Sequence, residues 1–151
     1  MKKILIVFLL MITAVSFCFA DSEELEMYSY LYQGARTNGE QLSLLQVMME
    51  LNLAGAGDFY ANALHRLVLD YSNISGATAK EQADEQAIIL AGLLGQEKHQ
   101  AAGPDLWRVA TTFSNPLVRA EALMALGKIR ATGFLPQVIK VLQDLNGAPV
   151  S

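Results

Sequence analysis

From about residue 22 onward, apolar residues recur at helical rather than alternating spacing. The clearest stretch is residues 118 to 129, VRAEALMALGKI, where Val118, Ala122, Ala125, Leu126 and Ile129 fall at offsets of 0, 4, 7, 8 and 11. Those offsets place them on one face of a helix. Asn115 is a suitable N-cap, and Pro116 suits the first helical position, where a missing N–H costs little. The expected helix therefore runs over 116–130. Ala131-Thr132-Gly133 interrupts the pattern, and Leu135, Val138, Ile139, Leu142 and Leu145 form a second amphipathic face, stopped by Asn146-Gly147. A turn this tight predicts an antiparallel helix pair.

The same layout occurs twice upstream with looser spacing. Helices are expected over 40–53 and 58–71, and again over 80–95 and 104–113. The breakers Ala54-Gly55-Ala56-Gly57, Ser72-Asn73-Ile74-Ser75-Gly76 and Ala102-Gly103-Pro104 bound them. Tyr28, Tyr30 and Tyr32 alternate as strand residues would. Met27, Leu31 and the Tyr28–Tyr32 pair nevertheless fit a short helix over 22–33, which would cap the first pair. Small residues at Ala120, Ala122, Ala125 and Gly127 would let neighbouring helices approach closely.

The first twenty residues follow another pattern. Lys2 and Lys3 precede an unbroken apolar run from Ile4 to Ile12, and small residues stand at 18 and 20. The run is shorter than the ~20 residues a spanning helix needs and has the form of a secretory signal peptide cleaved after Ala20. Phe17 argues against acylation at Cys18, because lipoprotein signals place a small residue before the cysteine. The expected organisation is signal peptide 1–20, N-terminal segment 21–38, helical repeat domain 39–147 and tail 148–151. The product would be exported, to the periplasm or cell envelope of a two-membrane bacterium and otherwise secreted, with no stable membrane span.

Cleavage removes two of the 11 basic residues and none of the 15 acidic ones, leaving nine against 15 and a net charge of −6. That balance argues against nucleic acid as a partner, which calls for clustered Lys and Arg. It also removes Cys18, the one cysteine, and thiol chemistry with it.

Residues 115–129, NPLVRAEALMALGKI, followed by 135–144, LPQVIKVLQD, resemble a HEAT repeat, with its Val-Arg pair, its Ala-Leu-Gly run and a second helix ending near Leu-x-Asp. The likeness is close over about 30 residues. It thins to an Ala-Gly-Leu-Leu-Gly flavour over 85–95 and to layout alone over 40–71. The resemblance implies an all-α fold, a short right-handed solenoid of about three antiparallel helical hairpins, in which each helix buries more than one stripe. It also implies a non-enzymatic protein–protein interaction module. Arg119 would lie at an inter-repeat junction, bonding acidic side chains or helix-end carbonyls.

Catalytic and metal chemistry find little support in the residue pattern. His65 and His99 are the only histidines and lack metal-ligand spacing, so His65 reads as a partly packed helix residue and His99 as a solvated helix end. Neither a Gly-x-Ser-x-Gly elbow nor a phosphate-binding glycine loop is present. Glu81, Asp84 and Glu85 read as a hydrated helix face, and Trp107 as a core residue. No catalytic, cofactor-binding or metal residue is assigned. Asn73-Ile74-Ser75 is formally a glycosylation sequon. Candidate interface residues are Arg119, Trp107, Leu117, Met124 and Val141. The last three would form an apolar patch on the C-terminal hairpin, covered by a partner protein or by a second copy. The alternative reading is a small ligand-binding or enzymatic helical domain, in which His65, Trp107 and carboxylates converge on a pocket between hairpins.

Overall fold

The computed structural model describes residues 23–53 and 55–145. The signal segment 1–20, the stop at Asn146-Gly147 and the tail 148–151 lie outside them. Among the described residues the chain is helical throughout, without a strand. Helix α1 covers residues 23–34. It is followed by α2 (Asn38–Leu51), α3 (Gly57–Asp70), α4 (Ala77–Gln96), α5 (Gly103–Thr112), α6 (Pro116–Lys128) and α7 (Leu135–Leu145). Short 3₁₀ turns, Tyr71–Asn73, Gln100–Ala102 and Thr132–Phe134, precede α4, α5 and α7.

The helix ends have local causes. Asn115 caps α6 by accepting from the Leu117 N–H at 3.0 Å, with Pro116 in the first turn. Helix α2 starts two residues before the expected position because Thr37 and Glu40 form a capping box. The Thr37 hydroxyl accepts from the Glu40 N–H at 3.2 Å, and Glu40 Oε2 accepts from the Thr37 N–H at 3.3 Å. At the other end Asn52 turns left-handed, φ 50°, and stops the helix. Gly76, at φ 91°, lets the chain enter α4 from a conformation closed to other residues.

Helix α4 is the centre of the packing. It is flanked by α2 and α6 and backed by α3, while α3 also meets α5, and α5 meets α6. The closest approaches do not fall within the expected sequence-adjacent pairs: α2 with α3, and α4 with α5, lie less close than α3 with α4 or α5 with α6. For α5 and α6 the connection is short, only Phe113, Ser114 and Asn115. The inward face of α4 carries Ala83, Ala87, Leu90, Ala91 and Leu94, all fully buried.

Across from α4, α6 presents the expected face: Val118, Ala122, Ala125, Leu126 and Ile129 are all buried. The four small residues of α6 divide, however. Ala122 and Ala125 lie in the interface, and a Cβ at Gly95 of α4 would come within 3.3 Å of the Ala125 Cα. Ala120 and Gly127 are exposed, and a Cβ at Gly127 would touch no neighbouring element. Close approach thus rests on Gly95, Ala122 and Ala125. Among the described residues no helix is long and apolar enough to cross a membrane.

Candidate functional site

The charge cluster on α4 does not form a hydrated face. Glu81 and Glu85 are exposed, but Asp84 is 8% exposed and points into the protein. Asp84 follows the buried Ala83 on α4 and meets Tyr71, in the turn after α3. Burying a carboxylate requires a partner, and Tyr71 supplies one: its hydroxyl donates to Asp84 Oδ1 at 2.6 Å. Ser114 Oγ lies 3.4 Å from the same hydroxyl, and the Phe113 ring stacks on the Tyr71 ring at 3.5 Å between centroids. Lys80 completes the arrangement. Its ammonium sits 3.3 Å from the Tyr71 ring centroid and donates to the Tyr71 carbonyl at 3.0 Å. Burial first, and then the bond to Asp84, push the Tyr71 pKa above its ordinary value. The Tyr71 hydroxyl therefore directs its proton at Asp84.

A second polar tie holds the N-terminal end. Gln86, on the inward face of α4 and fully buried, donates through Nε2 to the Asn38 carbonyl at 2.9 Å. Its Oε1 accepts from the Tyr32 hydroxyl at 3.1 Å. One glutamine thus joins α1 and the start of α2 to α4. Burial pushes the Tyr32 pKa up to about 12 against the opposing pull of Arg66.

With Tyr32 turned inward, the other side of α1 faces out. Tyr30 is 78% exposed and Leu31 45%. Together with Gly34, Ala35, Ser43 and Leu44 they line a groove of about 670 Å³ between α1 and α2, which has Gln33 and Glu40 among its polar lining. Val47 and Leu51 continue the apolar stripe of Leu44 along α2 at offsets of three and seven, and both are exposed. The alternation of Tyr28, Tyr30 and Tyr32 held the signal for this groove, because Tyr30 lies off the helical face that Tyr28 and Tyr32 share.

The other candidate residues are dispersed. His65 Nδ1 lies 3.1 and 3.2 Å from the two oxygens of Asp105, and its side chain is half exposed. His99 Nε2 lies 3.5 Å from Asp58 at the N-terminus of α3. Trp107 is half-buried and stacks on Phe134 with centroids 5.9 Å apart. His65 and Trp107 thus engage different partners, Asp105 and Phe134. Arg119 donates through Nε to the Ala110 carbonyl at 2.8 Å, in the last turn of α5. Leu117 is 70% exposed and Met124 54%, in a stripe with Ala120, while Val141 is half-buried. Among the described residues no three of the His, Asp and Glu side chains group so as to hold a metal.

The chain matches no family model, no curated protein and no solved structure.

Proposed function

We infer that the protein is an exported, non-enzymatic interaction module built from HEAT-like helical hairpins, and that an amphipathic segment of a partner protein docks between α1 and α2. The observation that carries this reading is the groove. It is open and mainly apolar, it lies between α1 and α2, and its anchors include the exposed Tyr30 and Leu31 beside the half-buried Leu44. The order of helix neighbours, with α4 flanked by α2 and α6 while α3 meets α5, supports a stacked arrangement. Arg119 on the end carbonyl of α5 supports the HEAT resemblance of this segment.

The test uses residues 21–151 as bait in the envelope fraction of the source cell, with photo-cross-linking from position 30. A partner whose recovery is lost with Leu31→Glu and Leu44→Glu, and kept with Met124→Glu, is the expected result. Equal recovery with all three variants would remove the groove from the function.

The exposed stripe of Leu117 and Met124 on α6 favours a second reading for the opposite end, a contact between two copies of the chain. Light scattering over a concentration series should then show association that Met124→Glu abolishes. A wild-type protein monomeric throughout would exclude it.

A further inference from the structure

A different surface lies where the end of α3, the start of α4 and the end of α5 meet. It forms an open cavity of about 520 Å³ that shares no lining residue with the α1–α2 groove. Two cations line it, Lys80 and Arg108, and no carboxylate does. In a chain with 15 acidic and 11 basic residues, that is a local reversal of sign.

Two acidic residues of α4 and α5, Asp84 and Asp105, are already engaged. Asp84 accepts from the Tyr71 hydroxyl at 2.6 Å. Asp105 is held by His65 at 3.1 Å and reaches Arg108 only at 3.9 Å, too long for a hydrogen bond. The Arg108 guanidinium, on a 54% exposed side chain, therefore keeps its planar donor fork available. Lys80 is positioned by its contacts with Tyr71, which fix the ammonium at the wall. The hydroxyls of Ser72, Thr112 and Ser114 add polar contacts, while Val68 and Leu69 form an apolar side, on which Leu69 is 55% exposed.

We propose that this cavity binds a small amphiphilic oxyanion, a carboxylate or phosphate monoester on a short apolar chain. The head group lies between Lys80 and Arg108, and the chain lies along Val68 and Leu69. Both oxyanions suit a guanidinium fork paired with an ammonium. The volume falls in the range of sites for small organic ligands and exceeds what a bare inorganic anion fills. Two cations are too few to track a nucleic-acid backbone.

Calorimetry and amide-shift mapping of residues 21–151 with hexanoate, hexyl phosphate, inorganic phosphate and hexan-1-ol test the proposal. One or both amphiphilic anions should bind saturably, more weakly at high salt, and shift the amides of Leu69, Ser72, Lys80 and Thr112. The tighter of the two identifies the head group. Arg108→Gln and Leu69→Glu should each weaken binding by about tenfold or more, since one removes a charge-assisted partner and the other adds a repelling carboxylate. Both positions are exposed, so the variants keep the helical circular-dichroism signal. Arg66→Gln, which removes a cation from a separate groove between α1 and α3, should leave binding unchanged. Absence of saturable binding, hexanol as tight as hexanoate, inorganic phosphate as tight as hexyl phosphate, or full affinity in both variants would each overturn it.

Discussion

The two ends of the molecule expose similar side chains but are fastened to α4 by different chemistry. At the N-terminal end, α1 and α2 reach α4 partly through a buried polar link, Tyr32 to Gln86 to the Asn38 carbonyl. At the other end α6 lies against α4 through Gly95, Ala122 and Ala125, where the contact is close packing of small groups. A polar link has directional requirements and responds to protonation; close packing responds to volume. The ends should therefore fail under different insults, and each can be loosened by a change that leaves the other intact.

The largest effect is expected from Ala122→Arg. The site is fully buried, so the substitution overpacks the α4–α6 contact and buries a charge, which should cost at least about 3 kcal/mol in urea unfolding. Ala120→Arg, two residues away and exposed, should stay within about 0.5 kcal/mol of wild type. Equal stability of the two variants would mean that the small residues of α6 have been assigned to the wrong faces.

At the opposite end, Gln86→Ala should cost about 1–3 kcal/mol, because it leaves the buried Tyr32 hydroxyl and the part-buried Asn38 carbonyl without their partner. Hydrogen exchange should then quicken in α1 before α6. Uniform quickening would show that the link stabilises the whole domain and does not fasten one end.

Much of this was legible along the chain. Helical spacing predicts all seven helices of the described residues, and the phase of residues 118–129 predicts which of these positions are buried. The same phase already separates Ala122 and Ala125 from Ala120 and Gly127; residue type alone groups the four, and only position divides them. Gln86 could also be read from phase, since it lies three residues after Ala83 and four before Leu90. Asp84 was less legible, because its burial depends on Tyr71 arriving from another helix, and a carboxylate run carries no record of that. The cavity of Lys80 and Arg108 joins residues 28 positions apart on α4 and α5. No local spacing could have disclosed it.

Alkaline pH should weaken the N-terminal fastening. Tyr32 ionises near 10 in the unfolded chain and at about 12 when folded, so the folded state retains a proton that the unfolded state releases between those values. Its stabilising contribution is full below pH 10 and is lost as pH rises through 12. Tyr60, pushed up to about 12 by burial and by the charge of Glu97, contributes with the same sign. Unfolding free energy should thus fall across this window, and Tyr32→Phe should flatten the slope. An unchanged slope would assign the effect to Tyr60 and the remaining groups.

The smallest effect, and the one of opposite sign, is expected from Gly127→Ala. Gly127 lies inside α6 with ordinary helical backbone, and the added methyl group would meet no neighbouring element. The substitution removes conformational freedom from the unfolded chain without a steric cost in the folded one, so it should stabilise by about 0.5–1 kcal/mol. Gly95→Ala offers the same gain in principle. There, however, the methyl group would come within 3.0 Å of Lys128 Cδ and 3.3 Å of the Ala125 Cα. The lysine chain can move aside, whereas the Ala125 backbone can do so only if α6 shifts from α4, so the gain should be cancelled or reversed. Urea unfolding of the two variants compares one residue type on the two sides of a helix contact. If both substitutions stabilised the protein equally, α4 and α6 would have room between them, and close packing would no longer account for how the C-terminal end is held.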